Sequence, residues 1–444
     1  MKLHLQKFFQ ACNPSKTLDM ADPEDCQYYI DFSSVRGGKI IEALGRTITR
    51  LSPNEPTCQL FTGHIGCGKS TELFRLKAQL EQQKFHVVYI QSSRDLDLAD
   101  VSISDILLAI ARAVSENLES IGIRLKPGYF NNLFGEIKDF LQTPIDFGAE
   151  AELSVGIARI TAKTQESPKL REQLRQSLEP RTESILKAIN EEIFARGIEE
   201  LKYRGKKGLV VIVDNLDRVA AQKVTTGRFL PEYLFIDRGP QLRRLNCHVV
   251  YTIPLALLFS NEYQALKNRL GGGVAPKVLP MVPLKRRDGS DHLPGMALLR
   301  QLVMARAFPT VNPQTRLALV EEVFDNPQTL DRLCRISGGH VRNLLGLLYN
   351  CLQHEDPPFS SSCLENVIKN YCDDMLLAVD DAEWDLINQV VEQQLVRGEQ
   401  EYQTLLRSMF VFEYRDDQGR WFGINPALAE TERYKSLALV GNGV

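Results

Sequence analysis

The stretch Gly63-His64-Ile65-Gly66-Cys67-Gly68-Lys69-Ser70-Thr71 constrains this chain more than any other part of it. It lies between CQLFT, a short run of strand-favouring residues, and a segment whose Leu73, Leu76 and Leu80 recur at helical spacing. A strand, a glycine-rich turn and a helix in that order aim successive backbone N–H groups inward, and the helix N-terminus adds partial positive charge at the same point. The pattern G-x-x-x-x-G-K-[ST] therefore reads as a phosphate cradle. In that reading Gly63 to Thr71 wrap the oxygens, Lys69 brings a point charge to the terminal phosphates, and the Ser70 hydroxyl is placed to ligate magnesium. His64, Ile65 and Cys67 fill the variable positions; for His64 and Cys67 the plain expectation is local packing.

Around this loop the hydrophobic pattern alternates between strand and helix. HVVYIQSS, LVVIVD and CHVVYTIP are β-branched-rich runs of the kind buried on both faces, and KVLPMVPL is a fifth strand interrupted by prolines. Strands joined by helices predict an α/β fold with a parallel, three-layer sheet. More than a hundred residues separate HVVYIQSS from LVVIVD, too many for a plain crossover, so an insertion is expected at about residues 120–205. Ser102 to Leu118 has helical spacing, AELSVGI alternates like a strand, and Leu170, Leu174 and Leu178 return to helical spacing. Pro180 should start or kink a helix carrying Ile185, Ile189 and Ile193. Beyond Arg287 short helices follow, with a glycine pair in LCRISGGHVRNLLGLL, which predicts a helical lid. From Asp381 helical spacing leads into SMFVFEYRDDQGRWFGINP, two alternating runs joined at Gly419, as in a winged helix. The expected division is an arm over 1–55, a core over 56–290, a lid over 291–378 and a winged-helix-like unit over 379–444. No internal repeat is visible.

The strand LVVIVDNLDR ends in Asp214, which would hold hydrated magnesium beside Ser70. Many chains of this kind carry a second acid immediately afterwards to polarise the attacking water; here the position is Asn215, and an amide is no general base. Asp217 or Asp95 are substitutes, and slow hydrolysis is the alternative. A formal charge of -3 from 53 basic and 56 acidic residues argues against an all-over grip on nucleic acid, and Lys285-Arg286-Arg287 reads as a solvated loop. The nine cysteines show no C-x-x-C pair, as expected of reduced thiols. MKLHLQKFFQ lacks the apolar core of a signal peptide, and the run from His248 to Phe259 is too short to span a bilayer, so the expectation is a cytoplasmic protein without a membrane partner.

With these motifs in place the chain resembles the AAA+ and STAND side of the P-loop NTPases, near origin-recognition-type and KAP-type ATPases, over about residues 30–440. FSSVRGGKIIEAL is similar to the N-terminal box that borders adenine, which implies that Arg36 lies near the base. VDNLDR is similar to the KAP-type ending D-D-L-D-R and departs from it at Asn215. CHVVYTIP resembles a sensor-1 strand, implying that Thr252 senses the terminal phosphate; GGHVRNLL resembles the lid motif, implying the same of Arg342. EYQALKNRL stands where such proteins often carry an arginine finger, nominating Arg269, with Arg171, Arg175 and Arg181 of the insertion as competitors and a charged helix face as the plain explanation of those three. The resemblance implies ATP and Mg2+ as ligands, a homo-oligomer, and a nucleotide switch in signalling or defence whose output passes through a separate effector protein. A DNA-associated initiator is the alternative, although EQEYQTLLRSMF and EYRDDQGRW mix both signs of charge. A nucleotide-binding partner without turnover is the third reading, motivated by Asn215.

Overall fold

The structure, a computed structural model, describes residues 3–125, 128–141, 153–166, 168–225 and 227–441. The β-branched runs form strands β1 (Cys58–Gly63), β2 (His86–Gln91), β3 (Leu209–Asp214), β4 (His248–Thr252) and β5 (Lys277–Leu279). They make one parallel sheet in the order β2-β3-β4-β1-β5. Every residue of β3 and β4 is buried, as expected of strands covered on both sides. Alternate side chains divide between the faces: Val210 and Ile212 pack with Leu44, Leu73 and Leu76, whereas Val211 and Val213 pack with Ile106, Ile110 and Leu118. β5 is cut to three residues because the prolines at 280 and 283 cannot donate to a ladder.

Strand order decides what meets at the carboxyl edge. β4 lies between β1 and β3, with Phe61 opposite Thr252 and Val213 opposite Tyr251. Gly63, Thr252 and Asp214, far apart in sequence, thereby end their strands side by side.

The insertion's described residues form helices Tyr129–Leu141, Leu153–Glu166 and Pro168–Leu178 and a further helical run from Thr182 to Tyr203, with no strand among them. The strand expected at AELSVGI is corrected, since Leu153 to Ile157 open the helix Leu153–Glu166; Ala151 and Glu152 lie outside the described residues. Leu153, Ile157 and Ile160 share one helical face and are all buried in the cluster built on the helix Ile103–Ser120, a gain that outweighs the local alternation. Gly156 admits Phe134 so closely that an added Cβ would stand 2.4 Å from its ring. Pro180 falls in a single tight turn, Glu179–Arg181, ahead of the helix that opens at Thr182.

The helices Leu293–Ala307, Pro327–Ile336, Val341–His354 and Ser361–Leu377 share a core of their own through Leu299, Val303, Leu333, Leu348 and Ile368. Phe8, Phe32 and Val35 of the N-terminal arm enter that core, so the arm is fastened to the lid. Two helices, Asp381–Gln393 and Gln400–Arg407, lead into an antiparallel hairpin, β6 (Val411–Asp416) with β7 (Gly419–Ile424), a winged-helix-like arrangement that two short helices, Pro426–Ala429 and Glu432–Gly441, follow. Phe412, Tyr414 and Trp421 of the hairpin join Phe61, Cys67 and Met281 in one hydrophobic cluster. The hairpin is therefore packed against the end of the sheet that carries the glycine loop.

Candidate functional site

The loop after β1 depends on glycine. Gly66 has φ +88°, and an added Cβ would come within 2.7 Å of His340 Nε2; at Gly63 a Cβ would stand 2.5 Å from the Leu279 carbonyl oxygen. The helix Lys69–Gln82 starts directly from this turn. Arg36, 3% exposed, donates from Nη2 to the Cys67 carbonyl at 2.9 Å and braces the loop from behind. Cys67 is buried, with its Sγ 3.6 Å from the Leu279 carbonyl oxygen.

Lys69 is buried and fully engaged: Nζ is 2.9 Å from Asp217 Oδ2 and donates to the Gly63 and His64 carbonyls at 2.8 Å each. Burial is the largest influence and lowers its pKa, but Asp217, Cys67 and Asp214 together outweigh burial and the net shift is upward. Asp217 Oδ1 is buried without a partner. The acid suggested as a replacement base is thus spent on the loop lysine. Asp95, the other suggestion, lies 4.0 Å from Arg112 on the helix Ile103–Ser120, and it is Ser93 Oγ that receives Asn215 Nδ2, at 3.3 Å.

Asp214 ends β3 at 1% exposure, accepting from the Tyr89 hydroxyl at 2.7 Å and from the Asn215 N–H at 2.8 Å. Burial and then the nearby Asp217 raise its pKa, while the Ser70 and Tyr89 hydroxyls act in the opposite sense. Ser70 and Asp214 are therefore adjacent hard oxygen donors, the set that suits Mg2+ when phosphate oxygens and water complete the shell. Asn215 has φ +67°, in the left-handed region where Asn is favoured among residues with a side chain. Backbone geometry accounts for the amide here. Thr252 is fully buried, and its hydroxyl donates to the Val213 carbonyl at 3.3 Å while accepting from Leu216 N–H at 3.1 Å. It holds the turn that carries Asp217.

Two distant units fasten on the same loop. From the lid, His340 Nε2 bonds to the Ile65 carbonyl at 2.7 Å, and Arg342 N–H donates to the Gly66 carbonyl at 3.2 Å. From the hairpin, Glu413 N–H donates to His64 Nε2 at 2.9 Å. Burial holds both imidazoles neutral, pushing His64 down to about 3 and His340 to about 4. The Arg342 guanidinium lies over the cleft, its pKa lowered by burial and by the like charge of Arg218.

Arg269 stands at the end of the helix Tyr263–Arg269, about half exposed, donating to the Asp237 carbonyl at 3.0 Å. The insertion arginines are paired within the chain: Arg171 with Asp97 at 2.6 Å, Arg175 with Asp100 at 2.8 Å, and Arg181 with Glu136. Lys285 pairs with Asp291 at 2.9 Å and Arg287 with Asp416 at 2.8 Å, so that basic run ties the core to its neighbours. Sequence reasoning missed Tyr89, Arg218 and Arg306. Arg218 was in view inside VDNLDR, whereas nothing local distinguishes Tyr89 within its strand or Arg306 within its helix.

The parallel sheet, the glycine turn ending in Lys69-Ser70, and a carboxylate closing the strand two places away define a P-loop NTPase. Residues 38–234 match the KAP family P-loop domain. The chain is also similar to solved structures at low identity. One is Drosophila ORC bound to DNA, with 12% identity and TM-score 0.40, covering 99% of this chain and 92% of that one. Another is the ORC2 protein of Aeropyrum pernix in ADPNP–ADP complexes, with 13% identity, TM-score 0.38 and coverage of 91% and 94%. A Walker-type ATPase of Pyrococcus abyssi has 10% identity, TM-score 0.41 and coverage of 91% and 98%. No curated protein matches the sequence.

Proposed function

We propose that the chain is a magnesium-dependent, ATP-binding switch with slow turnover, and that it assembles with copies of itself and passes its output to a separate protein in signalling or defence. The observation that carries this reading is the threefold engagement of one short loop. Asp217 occupies Lys69, the lid bonds to the carbonyls of Ile65 and Gly66, and the hairpin bonds to His64. Terminal phosphates would compete with Asp217 for the same ammonium group, and a ligand that moves the loop must disturb all of these bonds together. The cleft between loop, lid and arm holds about 80 Å³, and beside it lies a cavity of about 460 Å³ that shares Pro14, Ser15, Arg218 and Arg342 with it. A nucleotide seated across them would touch loop, lid and arm together, which couples binding to the position of both lid and arm.

Ser70 and Asp214 would hold Mg2+ in this scheme, and Arg342 and Arg218 would add positive charge above the phosphates. Arg269, exposed at the end of its helix beside Asp237, is our candidate for completing a neighbour's site. The units taken to move are the core, lid and winged-helix-like segments as divided above.

Contacts of the C-terminal unit favour a protein partner over DNA. The helix Gln400–Arg407 turns Tyr402, Leu405 and Leu406 inward, and its Gln403 and Arg407 line a groove with Pro254 and Leu255 of the core. The tip of the hairpin is held through Asp416 by Arg287. A duplex would have to displace those contacts first. The deciding experiment is hydrogen exchange with and without MgATP. Faster exchange at the Glu413 amide on binding supports the switch; unchanged protection there with ATP bound would remove it.

A further inference from the structure

Arg306, near the end of the helix Leu293–Ala307, is 6% exposed, and its Nε and Nη1 have no hydrogen-bond partner. The carboxylate whose field reaches it, Asp25, is committed elsewhere, 2.7 Å from Lys16 Nζ and accepting from Asp19 N–H at 2.9 Å. The guanidinium rests 5.3 Å from the Tyr28 ring centroid, a favourable contact that offers no acceptor to its N–H groups. A permanently charged group buried without a counter-charge or acceptor is expensive. The same lid contains a control: Arg316 is as deeply buried, but it donates to the Phe308, Pro309 and Val311 carbonyls at 3.2, 3.1 and 2.8 Å. Arg316 holds a loop together, and Arg306 does nothing of the kind.

What Arg306 does share is the wall of the cleft that contains Lys69 and Ser70. Lys69, Arg218 and Arg342 line that cleft together with Ser15, Lys16 and Thr17 of the arm, while Leu18 of the arm and Val341 and Leu345 of the lid add apolar surface. Those apolar side chains can contact a flat heterocycle, and the unpartnered N–H groups of Arg306 can donate to an acceptor atom on its ring.

Resting on the nucleotide-binding reading above, we propose that Arg306 is a specificity-determining residue that donates to a ring-nitrogen or carbonyl acceptor on the base of the bound nucleotide. Because a guanidinium only donates, a base that turns an amino group toward it is disfavoured, and discrimination between purine nucleotides runs through this side chain. Its lack of a partner in the chain is then the vacancy that the base fills, at a cost to the stability of the ligand-free protein.

The test compares wild-type, Arg306→Met and Arg306→Lys full-length protein for dissociation constants of ATP, GTP and inorganic tripolyphosphate with Mg2+, together with the ligand-free melting temperature. Arg306→Met should weaken the preferred nucleotide about ten- to a hundredfold and narrow the ATP/GTP ratio. It should leave tripolyphosphate binding within about twofold and the ligand-free melting temperature equal or higher. Arg306→Lys, which keeps the charge but loses the planar fork, should fall between the two. Equal losses for nucleotide and tripolyphosphate, or a lowered melting temperature with unchanged affinities, overturn the proposal. If Arg306→Met does not fold, Arg306→Lys decides alone: unchanged nucleotide affinity refutes it. Failure of the underlying reading looks different, since wild-type protein would then bind neither ATP nor tripolyphosphate.

Discussion

Lys69 Nζ and Asp217 Oδ2 stand 2.9 Å apart with both side chains almost completely buried, so the ammonium group proposed to meet phosphate is neutralised by a carboxylate of its own chain. Such a pair is neutral in its surroundings only while both members are present. Ligand-free protein therefore keeps its loop closed around an internal anion, and binding is an exchange of one anion for another.

Lys69→Ala should abolish nucleotide binding and also destabilise the ligand-free fold by about 3–5 kcal/mol, because it strands the Asp217 carboxylate. The double change Lys69→Met with Asp217→Asn should recover most of that stability without recovering binding. Asp217→Asn alone should tighten ATP about tenfold by removing the competitor, as read by calorimetry. Weaker ATP binding in Asp217→Asn would show that the carboxylate assists the ligand instead.

At Asn215 the left-handed backbone predicts an order of stability across substitutions. Glycine should be close to neutral, aspartate nearly so, and glutamate worse by about 1 kcal/mol, because a longer side chain tolerates that conformation less well. Asn215→Asp is accordingly the variant in which to look for faster phosphate release. If glutamate melts with the wild type, the left-handed turn is not what selects the amide.

His64 predicts a pH dependence of stability. Its folded pKa of about 3 lies below the unfolded value of 6.5, so below pH 6.5 the unfolded chain takes up a proton that the folded chain refuses. The contribution is fully present above pH 6.5 and is lost as pH falls. His340, at about 4, acts in the same direction. Glu413, raised by burial to about 7 against the pull of Arg420, acts oppositely, favouring the fold below pH 4.5 and losing that effect as pH rises through 7. Comparison with His64→Gln, whose side-chain oxygen can still accept from Glu413 N–H, cancels the other two groups. Relative to it, the wild type should lose up to about 1.4 kcal/mol per pH unit between pH 6 and 4 in denaturant titrations. Parallel curves would place the proton sensitivity elsewhere.

Arg269 should act on a neighbour. Mixing Arg269→Ala protein with folded Lys69→Ala protein pairs an intact arginine with an intact loop at some interfaces, and phosphate release should rise above that of either protein alone. Arg342→Ala, altered in the lid of its own subunit, should gain nothing from the same mixing. An Arg269 mixture that co-assembles and stays inactive would pass the assignment to another arginine.

The glycine loop, the buried strands, the lid and the hairpin were legible in the chain because each is dictated by residues close in sequence: glycine spacing, β-branched runs, helical periodicity and a Gly419 turn. Asp214 was legible for the same reason, as the polar end of an apolar strand. The region around Leu153 was not, because a short alternating run is compatible with either period until a neighbouring helix is there to bury one face. Nor was the occupancy of Lys69, the clasp of His340 and Arg342 on the loop, or the bond from Glu413 to His64. These join residues up to 349 positions apart, and only the packing of lid and hairpin on the sheet's carboxyl edge brings them within hydrogen-bond range. Local sequence thus determined which backbone could cradle a phosphate. Tertiary structure decided what holds that cradle in the phosphate's absence, since desolvated charges and buried donors must find partners wherever the fold places them.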